Sequence, residues 1–132
     1  MIFFLDLQAT YTSELTKENQ VYPRICGKGN YHYETIQISV QQNGSYTFNS
    51  DTRISILLYG YLYENDFDLS HPNKNLLAKT NESCKNLQLK LGSYLEINRT
   101  YILFVTTFDS DVRGPFTLLI NGPKNITLNR FD

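Results

Sequence analysis

Apolar and polar residues alternate along much of this chain, and they do so from its start. Phe3, Leu5, Leu7, Ala9 and Tyr11 fall on one side of an extended segment, with Asp6, Gln8, Thr10 and Thr12 on the other. A period of two over that length predicts a half-buried strand. A polar, charged stretch without period follows and reads as a linker. Short strands separated by turn residues then fill the chain, with Ile36, Ile38 and Val40 on one face of residues 31–40 and Tyr46 and Phe48 on one face of residues 45–48. Between these two segments Asn43-Gly44 predicts a hairpin, because a type I′ turn needs positive φ at both central residues. Residues 52–63 read as a long central strand: Ile54, Ile56, Leu58 and Leu62 face one way, and Leu57, Tyr59, Tyr61 and Tyr63 the other. Leu87, Leu89 and Leu91 alternate along another strand, and residues 76–79, 101–108, 116–120 and 126–131 complete the set.

Eight or nine strands without helical periodicity predict an all-β protein, an antiparallel β-sandwich of jelly-roll or immunoglobulin-like type. With 132 residues there is room for one such core. The organisation expected is an N-terminal strand or arm over residues 1–13, a polar linker over 14–20 and the sandwich over 21–132. Residues 1–5 do not read as a signal peptide, since they lack a basic start and Asp6 interrupts a short apolar run.

Twelve Lys and Arg against thirteen Asp and Glu leave a net charge near −1. That offers no basic field for nucleic acid, and no apolar run approaches the length of a membrane span. Two cysteines, Cys26 and Cys84, form the one possible intrachain pair. Four Asn-x-Ser/Thr sequons lie at Asn43, Asn81, Asn98 and Asn125. Sequons, paired cysteines and a strand-rich composition together point to an extracellular or cell-surface protein carrying N-linked glycans. A Cys26–Cys84 disulfide would close a loop of about 58 residues and contribute on the order of 4 kcal/mol.

Residues 43–48 (Asn-Gly-Ser-Tyr-Thr-Phe), 59–63 with Asn65-Asp66-Phe67-Asp68, 100–107, and 114–118 with Gly122-Pro123 resemble secreted β-sandwich repeat domains. They are similar to the bacterial pre-peptidase C-terminal type and to extracellular modules of aquatic micro-invertebrates. The resemblance spans about residues 20–131 and implies a non-catalytic module used for adhesion, spacing or surface binding. Such domains often carry an Asp-rich turn where this chain has Lys79-Thr80-Asn81-Glu82-Ser83-Cys84, which puts a calcium role there in doubt.

Chemistry-bearing residues are sparse. His32 and His71 are the only histidines and show no zinc spacing, Ser70 beside His71 lacks a nucleophile elbow, and no phosphate-loop or dinucleotide fingerprint is present. Asp66 and Asp68, or Asp109 and Asp111, have the residue type of an acid–base pair but read as solvated turn carboxylates, and Asn65, Asp66 and Asp68 lack the spacing of a calcium loop. No enzyme and no cofactor are expected. Tyr59, Tyr61 and Tyr63 are either a contact patch for sugars or partners, or the second buried face of a central strand.

The N-terminal strand gives the sharpest functional expectation. An alternating segment on a polar tether of about nine residues, with a reach up to about 30 Å, has the properties of a strand that fills an unpaired sheet edge. Phe3, Leu5, Leu7, Ala9 and Tyr11 would be the assembly residues. Insertion into a neighbouring copy is a head-to-tail contact, and one that does not close makes a helical homopolymer. The expected function is therefore a structural fibril subunit that assembles by donor-strand exchange. The alternative is a monomeric carbohydrate- or protein-binding adhesion module, and a third class is a hydrolase accessory domain.

Overall fold

The computed structural model describes residues 7–15, 21–22, 31–51, 58–65, 74–79, 89–107, 114–123 and 126–130. These form ten strands: β1 (Leu7–Leu15), β2 (Val21–Tyr22), β3 (Tyr31–Val40), β4 (Gly44–Ser50), β5 (Leu58–Glu64), β6 (Leu76–Lys79), β7 (Lys90–Leu95), β8 (Tyr101–Thr107), β9 (Gly114–Gly122) and β10 (Ile126–Arg130). All pairings are antiparallel. One sheet runs β1-β9-β4-β7; the other runs β10-β3-β8-β5-β6, with β2 also on β3. Set aside the additions β2 and β10, and the two layers are β1-β9-β4-β7 over β3-β8-β5-β6, the strand order of an eight-stranded jelly roll. That order separates two architectures that alternation alone leaves open.

The core lies between the layers because both inner faces keep the period of two. Leu15, Tyr46, Phe48, Leu91, Leu95, Phe116, Leu118 and Ile120 come from the four-stranded sheet; Ile36, Ile38, Val40, Leu58, Leu62, Tyr101, Leu103 and Val105 come from the other. The tyrosines among them send their hydroxyls to the rim, as buried phenols usually do. Tyr46 donates to the Gln42 carbonyl at 2.8 Å, and Tyr101 accepts from the Glu96 amide at 2.9 Å. Tyr46 lies flat over Gly122, where a Cβ would come within 2.1 Å of its ring.

Two expectations are corrected and one pair of alternatives is decided. The Asn43-Gly44 turn is not a hairpin. It carries the chain from β3 in one sheet to β4 in the other, and β4 pairs with β7 and β9 instead. Among the described residues the positive φ values fall at Asn65, Asn75, Asn98 and Gly114. Burial explains the difference, since the apolar faces of β3 and β4 oppose each other across the sandwich and would not do so side by side. Secondly, of the two readings of Tyr59, Tyr61 and Tyr63 the buried second face holds and the exposed patch does not: Tyr59 and Tyr63 are buried and Tyr61 is half-buried. They belong to the outward face of the six-stranded sheet, where Tyr61 and Tyr63 join Tyr33, Ile102, Phe104 and Leu76 in a second apolar cluster. Tyr33 stacks on Phe104 at 4.5 Å between ring centroids, and Tyr61 meets Phe104 edge-on at 5.7 Å. Thirdly, the strand at the start of the chain runs through Glu14 and Leu15, residues expected in the linker, and Leu15 is in the core. The part of the long strand expected over residues 52–57 lies outside the described residues.

Candidate functional site

Strand β1 is where the sequence placed its most specific functional expectation. Its alternation holds: Ala9 and Tyr11 pack on the core and Leu15 is buried, while Thr10, Thr12 and Glu14 are exposed. The strand lies at the outer edge of the four-stranded sheet and pairs with β9 along its whole length, from Leu7 opposite Gly122 to Leu15 opposite Gly114. The Tyr11 ring tilts against Phe116 at 6.3 Å, and on the solvent side the Thr12 and Thr117 hydroxyls meet at 3.3 Å. In this chain β1 thus completes its own sandwich. Of the expected assembly residues, Phe3 and Leu5 lie outside the described residues, and Leu7 is in the ladder.

Sequence reasoning missed the group that holds β1 across the sandwich. Glu34 occupies an inward position of β3, continuing the face of Ile36, Ile38 and Val40, and has no solvent exposure. A buried carboxylate needs hydrogen-bond donors, and β1 supplies two of them. The Tyr11 and Ser13 hydroxyls both donate to Glu34, the latter at 2.6 Å, and the Arg130 Nε on β10 lies 3.6 Å from the same carboxylate. One acceptor on the six-stranded sheet therefore fixes the edge strand of the opposite sheet. Hydrogen bonds to a charged partner contribute about 1.5–3 kcal/mol each, more than neutral ones. The signal available in the sequence was a carboxylate at a core-facing place in His32-Tyr33-Glu34-Thr35-Ile36-Gln37-Ile38. Ser13 continues the inward parity of Ala9 and Tyr11 in the same way.

Burial pushes the Tyr11 phenol well above its ordinary value near 10, and the hydrogen bond it donates to Glu34 adds to the rise. Burial also pushes Tyr63 up, to about 12. A phenol whose folded pKa is raised leaves stability unchanged below the unfolded value; above about pH 10 the unfolded chain ionises first and stability falls. Urea midpoints should therefore drop between about pH 9 and pH 11.5, and Tyr11→Phe should make that drop smaller. An equal drop in both proteins would contradict the burial of this hydroxyl.

Few of the other expected sites fall among the described residues. Cys26, Cys84, Asn81, Asn125, Asp66, Asp68, Ser70, His71, Asp109 and Asp111 lie outside the described residues. Asn43 and Asn98 are exposed at neighbouring turns, Asn65 is exposed at the end of β5, and His32 is buried in β3. Among the described residues no three His, Cys, Asp or Glu side chains group as metal ligands, and no helix is long and apolar enough to cross a membrane. Comparison of the chain with protein-family models, with curated proteins and with solved structures gives no match.

Proposed function

We propose that this protein is a non-catalytic extracellular subunit that polymerises head to tail, each copy giving its β1 to the β9 edge of the next. The observation that carries the reading is that β1 is the outermost strand of its sheet, held by a ladder to β9 alone and by the Glu34 latch. Every one of those contacts joins β1 to the rest of the fold. A β1 from another copy would make the same contacts in the same register, so exchange loses no interaction, and the tether and the concentration decide between closed monomer and chain. Donor and acceptor surfaces differ, which makes the contact heterologous and open-ended unless the rotation closes a ring.

The monomeric adhesion module is the second reading. Its support is the solvent face of the four-stranded sheet, rich in hydroxyls and amides at Thr10, Thr12, Ser45, Thr47 and Asn49, beside the exposed Tyr94. A cross-link separates the two. Thr12 and Thr117 are directly paired, so the double variant Thr12→Cys, Thr117→Cys can form a disulfide between β1 and β9. Mild oxidation of the concentrated full chain should give a covalent ladder on a non-reducing denaturing gel, absent from either single variant. Monomer carrying an internal bridge at every concentration would refute exchange and leave the adhesion reading.

A further inference from the structure

Three large apolar side chains are exposed among the described residues: Leu77, Tyr94 and Ile97. Leu77 has a local cause, because Leu62 pairs with Ala78 and Tyr63 with Leu76, leaving Leu77 as the extra residue of a bulge on edge strand β6. Tyr94 and Ile97 have no such cause, being 57% and 43% exposed. Both sit against one sequon, Asn43-Gly44-Ser45. In the β4–β7 ladder Ser45 is the direct partner of Tyr94 and Gly44 that of Leu95, and the Asn43 Oδ1 accepts the Ile97 amide at 2.7 Å. The carboxamide oxygen is thereby committed to the turn after β7, which leaves Nδ2, the atom that carries an N-linked sugar, on the exposed side.

We propose that Asn43 bears an N-linked glycan whose first N-acetylglucosamine residues lie on Tyr94 and Ile97. Sugar rings present apolar C–H faces that stack on aromatic side chains, and these two exposed residues are the ones tied to the sequon, Tyr94 by its pairing with Ser45 and Ile97 by its amide on Asn43. In the transfer, a bond forms between Nδ2 and the anomeric carbon of an oligosaccharide. The donor is an oligosaccharide pyrophosphate of a polyisoprenoid lipid; the lipid pyrophosphate leaves and the amide nitrogen gives up one proton. The consequence falls on sheet edges. Strand β7 is the edge opposite β1 in the four-stranded sheet, and an exposed edge invites unwanted pairing. Carbohydrate over the Tyr94 end of β7 blunts that edge and, within the four-stranded sheet, leaves strand pairing to the β1 side.

This inference rests on the extracellular part of the proposed function and is independent of strand exchange. The test expresses the full chain behind a signal peptide in a eukaryotic secretory host, as wild type, Ser45→Ala, Tyr94→Ser and the double variant. Ser45→Ala abolishes the sequon while keeping the Asn43–Ile97 bond. Peptide mass mapping should find Asn43 occupied in the wild type. Loss of the glycan in Ser45→Ala should lower the melting temperature by about 3 °C when Tyr94 is present and by under about 1 °C when it is serine. The same four chains made in a host without N-glycosylation should show no Ser45→Ala effect. A secreted protein with Asn43 bare, or an equal shift in both Tyr94 backgrounds, would overturn the proposal. The Thr12–Thr117 cross-link reports on exchange whichever result is obtained here.

Discussion

Glu34→Ala is expected to lower unfolding stability by about 3 kcal/mol and to release β1 ahead of the rest of the sandwich. The carboxylate has no solvent exposure and accepts hydroxyl donors from both Tyr11 and Ser13. Alanine removes both hydrogen bonds, strands two inward-facing hydroxyls and leaves a void where the side chain stood, and each of these changes is unfavourable. Arg130 keeps about half of its side chain in water, so losing its partner there adds little. Glu34→Gln keeps the shape and one acceptor oxygen and should cost less than alanine. Urea midpoints give the magnitude, and hydrogen exchange gives the location: the amides of residues 7–15 should lose protection before those of β8. Phe48→Ala serves as a control, a deep-core lesion with a similar or larger loss and no preference for β1. A loss under about 1 kcal/mol with β1 protection unchanged would show that the ladder to β9 alone holds the strand.

What the sequence could reveal here was one-dimensional. Alternation fixes which residues share a face, and it did so correctly for Ala9, Tyr11, Thr10 and Thr12, for Ile36, Ile38 and Val40, and for Leu58, Leu62 and the three tyrosines between and beside them. It does not fix which strands are neighbours. The Asn43-Gly44 dipeptide carries strong local hairpin chemistry, yet β3 and β4 gain more by meeting face to face than by lying side by side, and tertiary burial outweighs turn preference. Leu15 was hidden in a run of polar residues, because Ser13 sits at an inward position that alternation alone would assign to an apolar residue. Ser13 makes sense only with Glu34 opposite, and Glu34 only with Ser13 and Tyr11. Each polar residue taken alone looks like a break in the pattern; together they satisfy one another across two sheets. Such complementarity between residues more than twenty positions apart leaves no periodic trace. The jelly-roll order is illegible for the same reason, since it consists of non-local pairings.

Phe116→Ala should have the largest effect of all on assembly, and an asymmetric one. The ring is fully buried on β9, opposite Ser13 in the ladder and against Tyr11. Truncating such a side chain costs about 3–5 kcal/mol, a large share of the 5–15 kcal/mol that holds a typical domain. In a head-to-tail chain, β1 is the donor element, while Phe116 and Glu34 belong to the acceptor body. A Phe116→Ala subunit can therefore give its own strand but receives one poorly. Added in small amounts to wild-type protein it should bind one end of each polymer and stop growth there, shortening chains in proportion to its fraction. A chain lacking residues 1–12 has the opposite lesion, able to receive and unable to give. Equal amounts of the two should form one-to-one complexes and nothing longer, read as mass in solution, while neither associates with itself. Phe116→Leu keeps most of the buried volume, so it should fold where alanine does not and show the same asymmetry in weaker form. Mixtures that stay wholly monomeric, with both partners folded, would mean that β1 belongs to its own sandwich and never leaves it.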